Sequence, residues 1–337
     1  MGSRAATSTR RRKRADHDAS PRVGLVHPYC QRLVTVSSVS APIGAERAWP
    51  QPGAALELLK PVTWFPPMWA FACGAISAGV PLADRWGTVA LGIVITGPLV
   101  CATSQAANDW YDREVDAINE PQRPIPSGRI PGTWGLRLAI TWTILSMLVA
   151  IPLGGRGLIA VGIALAFAWA YSAPPLRFKQ NGWVGNAAVG LTYEGLAWIT
   201  GAIVVLDGAM PSMRIVLIAA LYSLGAHGIL TLNDFKAIEG DRQMGIRSLP
   251  ATLGPQRAAW VLCTVMLLPQ VVVIALLTSW GAPGSALVIS GLVLVQLAQM
   301  AYFVRAPRER ALFLSAVGVP FSVAGMMVAA FALRGLP

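Results

Sequence analysis

The sequence predicts an all-α fold, that of a polytopic membrane protein with nine transmembrane helices. Hydrophobic residues make up 54% of its 337 residues and charged residues only 13%, against about 25% charged in a typical soluble domain. Apolar stretches long enough to cross a bilayer recur along the chain, and Lys and Arg gather in alternate loops. So little charge cannot cover a soluble protein of this length, and a porin-type barrel would need strands of alternating polarity.

The predicted helices are apolar stretches of about 18–25 residues, each able to cross a hydrocarbon core of about 30 Å. Short, turn-like loops join them on one side of the membrane, for example the Asp207-Gly208 turn. Longer polar loops join them on the other side. The predicted segments are 62–83, 88–108, 133–153, 157–174, 185–206, 211–233, 256–280, 283–304 and 311–333.

Positive charge orients these helices. If the N-terminus is cytoplasmic and each segment crosses once, the cytoplasmic pieces with their edges carry 23 Lys and Arg residues, and the opposite side carries 4. The positive-inside rule favours this asymmetry. A missed or additional helix would scramble the alternation, so the charges support nine crossings. A binding site built from the longer loops then faces the cytoplasm.

Residues 1–55 are predicted to form a disordered basic tail ahead of a transmembrane domain at 56–337. The run RRRKR at 10–14 lies in a stretch with little apolar periodicity. Such a tail is typical of contact with anionic lipid, and its Arg and Ser content also fits a transit peptide. No nucleic-acid partner is expected, because a hydrophobic body follows directly. The 4 cysteines have no metal-binding spacing and indicate neither a zinc site nor a disulfide framework.

The first long cytoplasmic loop carries an aspartate-rich motif. Asn108, Asp109, Asp112 and Asp116 fall within about a 100° arc if the preceding helix continues, since successive residues step 100° around a helix. Carboxylates crowded on one face repel each other. Mg²⁺ relieves that repulsion and accepts a few carboxylates, water and phosphate oxygens as ligands. A solvated acidic helix end is the alternative interpretation.

A second aspartate-rich motif lies 125 residues further on and repeats the Asn-Asp pair and the later Asp. Its polar residues are Asn233, Asp234 and Asp241, and the two aspartates share one face of an ideal helix. Ala237 stands where the first motif has Asp112, so we expect one ligand fewer here. The repeat indicates a pseudo-duplicated architecture with two similar sites at the same membrane face.

Basic residues near both motifs could neutralise a bound diphosphate. A third cytoplasmic loop contributes Tyr171 and Lys179, separated by a Pro-Pro pair that ends the helix. Acidic motifs interspersed with cations suit a diphosphate ester, whose oxygens bind Mg²⁺ and whose remaining charge is met by Arg and Lys. Each cation alone can equally be an ordinary residue of the membrane interface. The candidate cations are Arg123, Lys179, Lys236, Arg242 and Arg247.

Together these motifs resemble the UbiA-type intramembrane prenyltransferases. The resemblance covers about residues 55–335 and rests on both aspartate-rich loops, the run RPIPSG at 123–128 and the pattern YSxPPxRxK at 171–179. Two strings, DAINEP at 116–121 and NDFKAIEGDR at 233–242, are similar to the chlorophyll and bacteriochlorophyll synthases. The continuation QMGIRSLP at 243–250 is closer to the bacteriochlorophyll branch. Ala237 interrupts the Asp-x-x-x-Asp spacing of many family members, which leaves Asp234 as the substitute ligand.

The resemblance implies esterification of a (bacterio)chlorophyllide propionate with geranylgeranyl or phytyl diphosphate, in a helical bundle whose central cavity opens to the cytoplasm. It implies a bacterial inner or photosynthetic membrane, Mg²⁺ as cofactor and other pigment-biosynthesis proteins as potential partners. The implied metal ligands are Asp109, Asp112, Asp116, Asp234 and Asp241. Tyr171 and Lys179 would assist catalysis, and the implied substrate contacts are Asn108, Arg123, Glu194, Asn233, Lys236, Arg242 and Arg247.

Two other classes of function remain open at this point. A related prenyltransferase could use a quinone precursor or haem as acceptor, and only the family strings separate these acceptors. A cation-coupled transporter would place its binding groups near the midplane on broken helices. The aspartate-rich motifs lie at the membrane exit instead, beside Arg residues, which disfavours transport.

Two polar residues lie inside apolar segments. Glu194 indicates either a functional carboxylate or a structural hydrogen bond, since a central intramembrane carboxylate costs roughly 2.5–3.5 kcal/mol on insertion scales. His227 could ligate the metal of a pigment, but a hydrogen bond between packed helices is the expected role.

Overall fold

The computed structural model describes residues 49–336, which form fifteen α-helices linked by short turns. Their bounds are α1 Pro52–Leu59, α2 Phe65–Ser77, α3 Trp86–Val94, α4 Ala102–Asn119, α5 Trp134–Val149, α6 Gly154–Ser172, α7 Gly182–Gly190, α8 Ala197–Val205, α9 Met213–Asp234, α10 Ile238–Gln243, α11 Leu249–Leu253, α12 Pro255–Ser279, α13 Pro283–Phe303, α14 Pro307–Phe313 and α15 Val319–Arg334. Within this described part of the chain there is no β-strand. The prediction of an all-α fold is confirmed.

Seven helical runs of the described residues are long and apolar enough to cross a membrane. Three of these runs join two α-helices through a π-helical turn, at Ile95–Cys101, Leu191–Leu196 and Leu314–Gly318. The chain is therefore an integral membrane protein. The seven runs are Trp86–Ile118, Ile151–Ser172, Gly182–Val205, Met213–Asp234, Pro255–Ser279, Pro283–Phe303 and Pro307–Arg334.

The other two predicted segments, 62–83 and 133–153, coincide with shorter helices. Helix α2 has 13 residues and α5 has 16. At 1.5 Å per residue they extend about 20 and 24 Å, less than the hydrocarbon core of about 30 Å. At the N-terminal end, α1 begins at Pro52, inside the range predicted as a tail. The rest of that predicted tail, 1–48, lies outside the described residues.

Helices α2 and α8 pack with their backbones in close contact. A Cβ atom at Gly74 would collide with the carbonyl oxygen of Trp198, and one at Gly201 would collide with that of Phe71. Trp198 is fully buried, and its Nε1 donates a hydrogen bond to Ser77 Oγ at 3.1 Å. Small residues at such crossings allow the close approach that stabilises helix pairs in membranes. This contact holds in place the α7–α8 run, which carries Glu194.

Polar contacts join several loops at one end of the bundle. Arg85, between α2 and α3, forms two hydrogen bonds with the carboxylate of Asp207, at 2.6 and 2.9 Å. Arg156 donates to the carbonyl of Gly208 at 2.5 Å. Arg334, at the end of α15, donates to a carbonyl of the α2–α3 loop at 3.1 Å. The ends of α2, α8 and α15 therefore lie together.

The aspartate-rich loops lie together elsewhere, where the segment between α6 and α7 meets the segment between α10 and α11. Asn181 and Arg247 form an isolated parallel β-bridge. Arg247 N donates to Gln180 O and Gly182 N donates to Arg247 O, both at 2.9 Å. This pairing ties the segment between α6 and α7 to the segment that follows the second aspartate-rich motif.

A buried polar cluster crosses the core between α12, α13 and α15. Gln270 and Gln296 exchange two amide hydrogen bonds at 3.0 Å, and Ser322 Oγ donates to Gln296 Oε1 at 2.7 Å. All three side chains are buried. Polar groups buried in a membrane bundle need such partners, because the hydrocarbon offers none.

Candidate active site

Both aspartate-rich motifs line one cavity of about 380 Å³, which we call the polar cavity. It lies where the carboxyl-terminal parts of α4 and α9 face the start of α7. Residues 125 positions apart in the sequence therefore share a site. Its polar and charged lining residues are Asn108, Asp112, Asp116, Arg123, Tyr171, Arg177, Lys179, Gln180, Asn186, Asp234, Lys236, Asp241 and Ser248.

The first motif follows the helix predicted for it. Helix α4 runs unbroken from Ala102 to Asn119, so Asp112 and Asp116 lie one turn apart on the same face. Asp112 Oδ1 lies 2.5 Å from Lys179 Nζ and 3.4 Å from Arg177 Nη2. Asp116 Oδ2 lies 2.8 Å from Arg123 Nη1. Each of these carboxylates is held by a cation from a neighbouring loop.

Asp109 differs from the prediction, because it does not line the polar cavity. It lies at the edge of the predicted arc, and its side chain is only 2% exposed. Its Oδ1 accepts hydrogen bonds from Lys60 Nζ at 2.6 Å and Arg123 Nη1 at 3.5 Å, while its Oδ2 has no partner among the described residues. Lys60 directly follows α1, which packs against this side of α4 through a shared apolar cluster. The packing of α1 therefore draws the Asp109 carboxylate away from the cavity.

The second motif is not the single helix that the sequence predicts. Helix α9 ends at Asp234 and α10 begins at Ile238, so Asp234 and Asp241 belong to two helices. Both still line the polar cavity. Asp234 Oδ2 accepts a hydrogen bond from Asn186 Nδ2 at 3.3 Å, and Asp241 Oδ2 accepts one from Ser248 Oγ at 2.6 Å. Within the described residues, neither carboxylate forms an ion pair.

The two motifs therefore present the same number of carboxylates to the polar cavity but differ in the groups that hold those carboxylates. With Asp109 turned away, each motif presents two carboxylates to the cavity, although Ala237 predicts one ligand fewer in the second. The partners differ instead: cations hold the first pair, and neutral amide and hydroxyl groups hold the second. Ala237 itself lines the polar cavity. An acidic side chain at that position would add a third carboxylate to the second motif.

Burial shifts two titratable groups of the site loops. It lowers the pKa of Lys179 from its ordinary value, although the nearby Asp112 carboxylate opposes the shift. Burial also raises the pKa of Asp241, and the hydrogen bond from Ser248 opposes that shift. Both effects reflect removal from water, which disfavours the charged form.

Not every predicted substrate contact reaches the polar cavity. Lys236 lines it, but Arg242 and Arg247 are exposed and are not among its lining residues. Arg242 Nε donates instead to the carbonyl of Ala251 at 3.3 Å, and Arg247 contributes its backbone to the β-bridge. These two side chains therefore lie outside the lining of the polar cavity, Arg242 near the end of α10 and Arg247 between α10 and α11, and their substrate contacts stay a prediction.

Asn233 and Glu194 line a second cavity of about 340 Å³, which we call the mixed cavity. Gln105, Asn108, Tyr171 and Tyr193 are among its polar lining residues, beside apolar groups from α7, α9 and α15. A third cavity, the apolar cavity, has a largely apolar wall. Its lining residues include Val100, Val161, Ala164, Phe167, Tyr171, Val189 and Leu196.

Tyr171 lines all three cavities, and Asn108 lines both the polar and the mixed cavity. Lys179 Nζ donates to Asn108 Oδ1 at 3.2 Å and Ser172 Oγ donates to it at 3.3 Å, which fixes that amide at the boundary. A diphosphate in the polar cavity could therefore extend its carbon chain past Tyr171 into a less polar space.

Sequence reasoning missed four residues of the site. Lys60 lies between the predicted tail and the first predicted segment and belongs to no motif, and Arg177 lies in the pattern at 171–179 but is not one of the candidate cations. Ser248 lies in the quoted string at 243–250, and Asn186 is an isolated amide in an apolar segment. His227 has the expected packing role, since its Nε2 lies 3.2 Å from the carbonyl oxygen of Trp183.

The carboxylates of the polar cavity suit a Mg²⁺ ion that is also coordinated by phosphate oxygens of the substrate. Within the described residues, no group of three Asp, Glu, His or Cys side chains is placed to enclose a metal ion. Mg²⁺ does not need such a cage, because it takes one or two carboxylates together with water and substrate phosphate oxygens. Four carboxylates and four Lys or Arg side chains line the polar cavity, so their formal charges cancel. A diphosphate would add uncompensated negative charge unless cations accompanied it.

An all-helical membrane bundle with two aspartate-rich motifs facing one cavity defines the class of protein. The chain belongs to the UbiA prenyltransferase family, whose profile matches residues 63–330. The predicted family is therefore confirmed, and the protein is a prenyltransferase.

The most informative relatives belong to one branch of that family. The chain is 55% identical to the bacteriochlorophyll synthase 33 kDa chain of Rhodobacter capsulatus over 293 residues, 86% of this chain and 96% of the relative. It is 39% identical to the chloroplastic chlorophyll synthase of Oryza sativa, over 82% of this chain and 76% of the relative. The predicted resemblance to the pigment-synthase branch is confirmed.

Solved structures of the same fold are more distant. A UbiA homologue from Archaeoglobus fulgidus, bound to DMAPP and Mg²⁺, has a TM-score of 0.62 at 21% identity, covering 84% of this chain and 100% of that one. A structure concerned with digeranylgeranylglyceryl phosphate synthase has a TM-score of 0.63 at 22% identity, covering 83% and 98%. At this level of identity the likeness supports the fold.

Proposed function

We propose that this protein esterifies the propionate carboxylate of bacteriochlorophyllide or chlorophyllide with geranylgeranyl or phytyl diphosphate and releases diphosphate, as the last step of pigment synthesis. The observation that carries the proposal is the joining of three cavities at Tyr171. One cavity carries balanced carboxylates and cations, one is largely apolar, and one is mixed. The 55% identity to a bacteriochlorophyll synthase supports the choice of acceptor.

The polar cavity suits the diphosphate. Arg123, Arg177, Lys179 and Lys236 line it and would stabilise the negative charge that develops on the leaving group. Mg²⁺ held by Asp112, Asp116, Asp234 and Asp241 would supply further charge neutralisation on the diphosphate oxygens. The Mg²⁺ and DMAPP in the Archaeoglobus fulgidus homologue support this arrangement.

The remaining chemistry needs positioning and the exclusion of water. The bond between the allylic carbon and the diphosphate oxygen breaks with both electrons leaving on oxygen, and an acceptor carboxylate oxygen bonds to that carbon. The apolar cavity, about 40 Å³ in volume with Val161, Ala164 and Phe167 in its wall, would contact the part of the prenyl chain nearest the allylic carbon and keep water from the allylic cation. Because the acceptor carboxylate is itself the nucleophile, no covalent intermediate on the protein is required.

We also propose that the chain crosses the membrane nine times, with the N-terminus and the polar cavity on the cytoplasmic side. The 23-to-4 distribution of Lys and Arg supports this orientation. The contact of Arg334 with the α2–α3 loop supports an odd number of crossings, since it brings the end of α15 to the end of α2. Thiol labelling tests it: Gln122→Cys and Gln243→Cys should react from the cytoplasmic side, and Ala209→Cys only from the other.

The activity is tested in membranes from a heterologous host that makes no such pigments. Membranes with the wild-type chain are incubated with bacteriochlorophyllide a or chlorophyllide a, geranylgeranyl diphosphate and Mg²⁺, and the extracted pigments are separated by chromatography. We expect an esterified product with the wild type and none with Asp112→Ala at equal membrane level. Equal product from wild-type and empty membranes would rule out the proposed function.

A further inference from the structure

Glu194 is a buried carboxyl group for which the chemistry above has no use. It is 8% exposed and lies on the π-helical turn Leu191–Leu196 between α7 and α8. Its Oε2 is buried and has no hydrogen-bond partner in the structure. An unsatisfied polar atom inside a membrane bundle is costly, and π-helical turns often occur at functional sites. These observations point to a partner that residues 49–336, the part of the chain that the structure describes, do not supply.

The surroundings of Glu194 favour the uncharged acid. The side chain lines the mixed cavity and a small neighbouring cavity formed with Tyr222, Met266 and Gln270. Among the described residues that line either cavity, none is Lys, Arg or His. An unpaired carboxylate in such a place would pay a large desolvation penalty. A neutral carboxyl group can instead donate one hydrogen bond through its O–H.

Glu194 lies too far from the polar cavity to act on the reacting atoms. Asn186 lines the polar cavity, and Glu194 lies eight residues further along the same helical run, Gly182–Val205. At 1.5 Å per residue this places them about 12 Å apart along the helix. The mixed cavity adjoins the polar cavity through Asn108 and Tyr171, whereas Glu194 lines the small cavity together with Ala226. Glu194 can therefore contact a part of a substrate that is remote from its reactive group.

The walls of the cavities differ in polarity. A prenyl chain has no polar atom and suits an apolar wall such as that of the apolar cavity, whose volume is about 40 Å³. The mixed cavity adds three amide side chains, Gln105, Asn108 and Asn233, and the Glu194 carboxyl group. Its volume of about 340 Å³ falls in the usual range of small-molecule sites. A flat ring system that carries carbonyl groups on its edge would satisfy both the size and the polar groups.

We propose that the mixed cavity holds the acceptor macrocycle with its propionate towards Asn108, and that Glu194 donates a hydrogen bond to a carbonyl group on the far edge of the macrocycle. This inference rests on the proposed function, which supplies the acceptor. It makes Glu194 a specificity-determining residue for the acceptor and leaves it no part in breaking the diphosphate bond.

Tyr222 provides a matched control. It is also buried, its Oη also has no hydrogen-bond partner within residues 49–336, and it lines the small cavity but not the mixed cavity. If Glu194 served only as a polar group of the small cavity, then Tyr222→Phe should change acceptor affinity as much as a replacement of Glu194 does. If Glu194 contacts the acceptor, Tyr222→Phe should leave acceptor affinity unchanged.

The test compares wild type, Glu194→Leu, Glu194→Gln and Tyr222→Phe in the esterification assay, varying bacteriochlorophyllide a and geranylgeranyl diphosphate separately. Glu194→Leu should raise KM for the pigment about tenfold, the loss expected for about 1.4 kcal/mol. Its kcat and its KM for the prenyl diphosphate should change less than twofold. Glu194→Gln keeps an N–H donor of similar size and should stay within about threefold of wild type for the pigment.

Several outcomes would overturn the inference. An unchanged pigment KM in Glu194→Leu would do so, as would an equal rise in both KM values or an equal effect of Tyr222→Phe. A rise only in the KM for prenyl diphosphate would place the prenyl chain in the mixed cavity instead. Absence of esterification by the wild type would remove the proposed function, and this inference with it, whereas wild-type turnover with an unaffected Glu194→Leu enzyme removes only the inference.

Discussion

Lys60 Nζ lies 2.6 Å from Asp109 Oδ1, so the first aspartate of the aspartate-rich helix is paired with a residue from outside every recognisable motif. Asp109 is 2% exposed and Lys60 is 25% exposed. The pair joins the end of α1 to α4, beneath the two carboxylates that do line the polar cavity. Asp109 therefore contacts Lys60 and Arg123, whereas Asp112 and Asp116 line the polar cavity.

Removing the Lys60 cation should destabilise the protein. In Lys60→Met the buried Asp109 keeps only the longer contact with Arg123, and hydrogen bonds to charged groups contribute about 1.5–3 kcal/mol. We expect a lower thermal unfolding midpoint in detergent. The double variant Lys60→Met/Asp109→Asn should recover part of that loss, because no unpaired charge stays buried. Equal midpoints for wild type and Lys60→Met would contradict the structural role of the pair.

Replacing Asp109 and replacing Asp112 should change the Mg²⁺ dependence of the esterification rate in different ways. Asp112→Ala should lower turnover at least about 100-fold, with no recovery at high Mg²⁺, since the diphosphate loses charge stabilisation worth several kcal/mol. Asp109→Asn should keep the half-saturating Mg²⁺ concentration of the wild type. A Mg²⁺ titration of the esterification rate measures both. A larger shift in Asp109→Asn than in Asp112→Ala would return Asp109 to the metal site.

An added carboxylate at position 237 should strengthen metal binding. Ala237 lines the polar cavity between Asp234 and Asp241, so Ala237→Asp supplies a third carboxylate to the second motif. We expect the half-saturating Mg²⁺ concentration to fall severalfold. Ala237→Asn has the same shape without the charge and is the matched control. If the two variants respond alike, the effect is one of shape, and the second motif does not bind the metal.

The effect of replacing a basic residue on the rate should depend on whether that residue lines the polar cavity. Lys179 is 9% exposed, lines the polar cavity and pairs with Asp112, so Lys179→Met should lower kcat about 100-fold. Arg242 is exposed and does not line the cavity, so Arg242→Ala should stay within about threefold of wild type. The measurement is the steady-state rate of wild type and of both variants at saturating concentrations of both substrates. A severe loss in Arg242→Ala would show that the loop after α10 closes over the substrate.

The buried amide pair should contribute to stability and leave catalysis unaffected. Gln296→Leu removes both amide hydrogen bonds with Gln270 and the one with Ser322. It leaves buried polar groups unsatisfied, at about 1–3 kcal/mol. We expect a lower unfolding midpoint and unchanged KM values for both substrates. A changed KM at a normal midpoint would mean that this cluster shapes a substrate cavity.

Much of the site could be derived from spacing alone. Asp112 and Asp116 lie four residues apart on a helix that continues past the apolar segment, so periodicity places them on one face. Asp234 and Asp241 follow from the repeat of the seven-residue spacing between Asp109 and Asp116. The family strings added the chemistry, and the low charge content with the loop asymmetry indicated the membrane and the side on which the loops lie.

The sequence by itself determined the class of fold, seven of the nine predicted membrane segments and the helical face that Asp112 and Asp116 share, because helical periodicity and hydrophobicity are local properties of the chain. Only the tertiary structure decided that Lys60 pairs with Asp109, that helix α9 ends at Asp234, and that the backbone of Arg247 forms a β-bridge. It also decided that Oε2 of Glu194 lacks a partner. These features depend on which helices pack together, and packing brings together residues such as Lys60 and Asp109 whose separation along the chain carries no periodic signal.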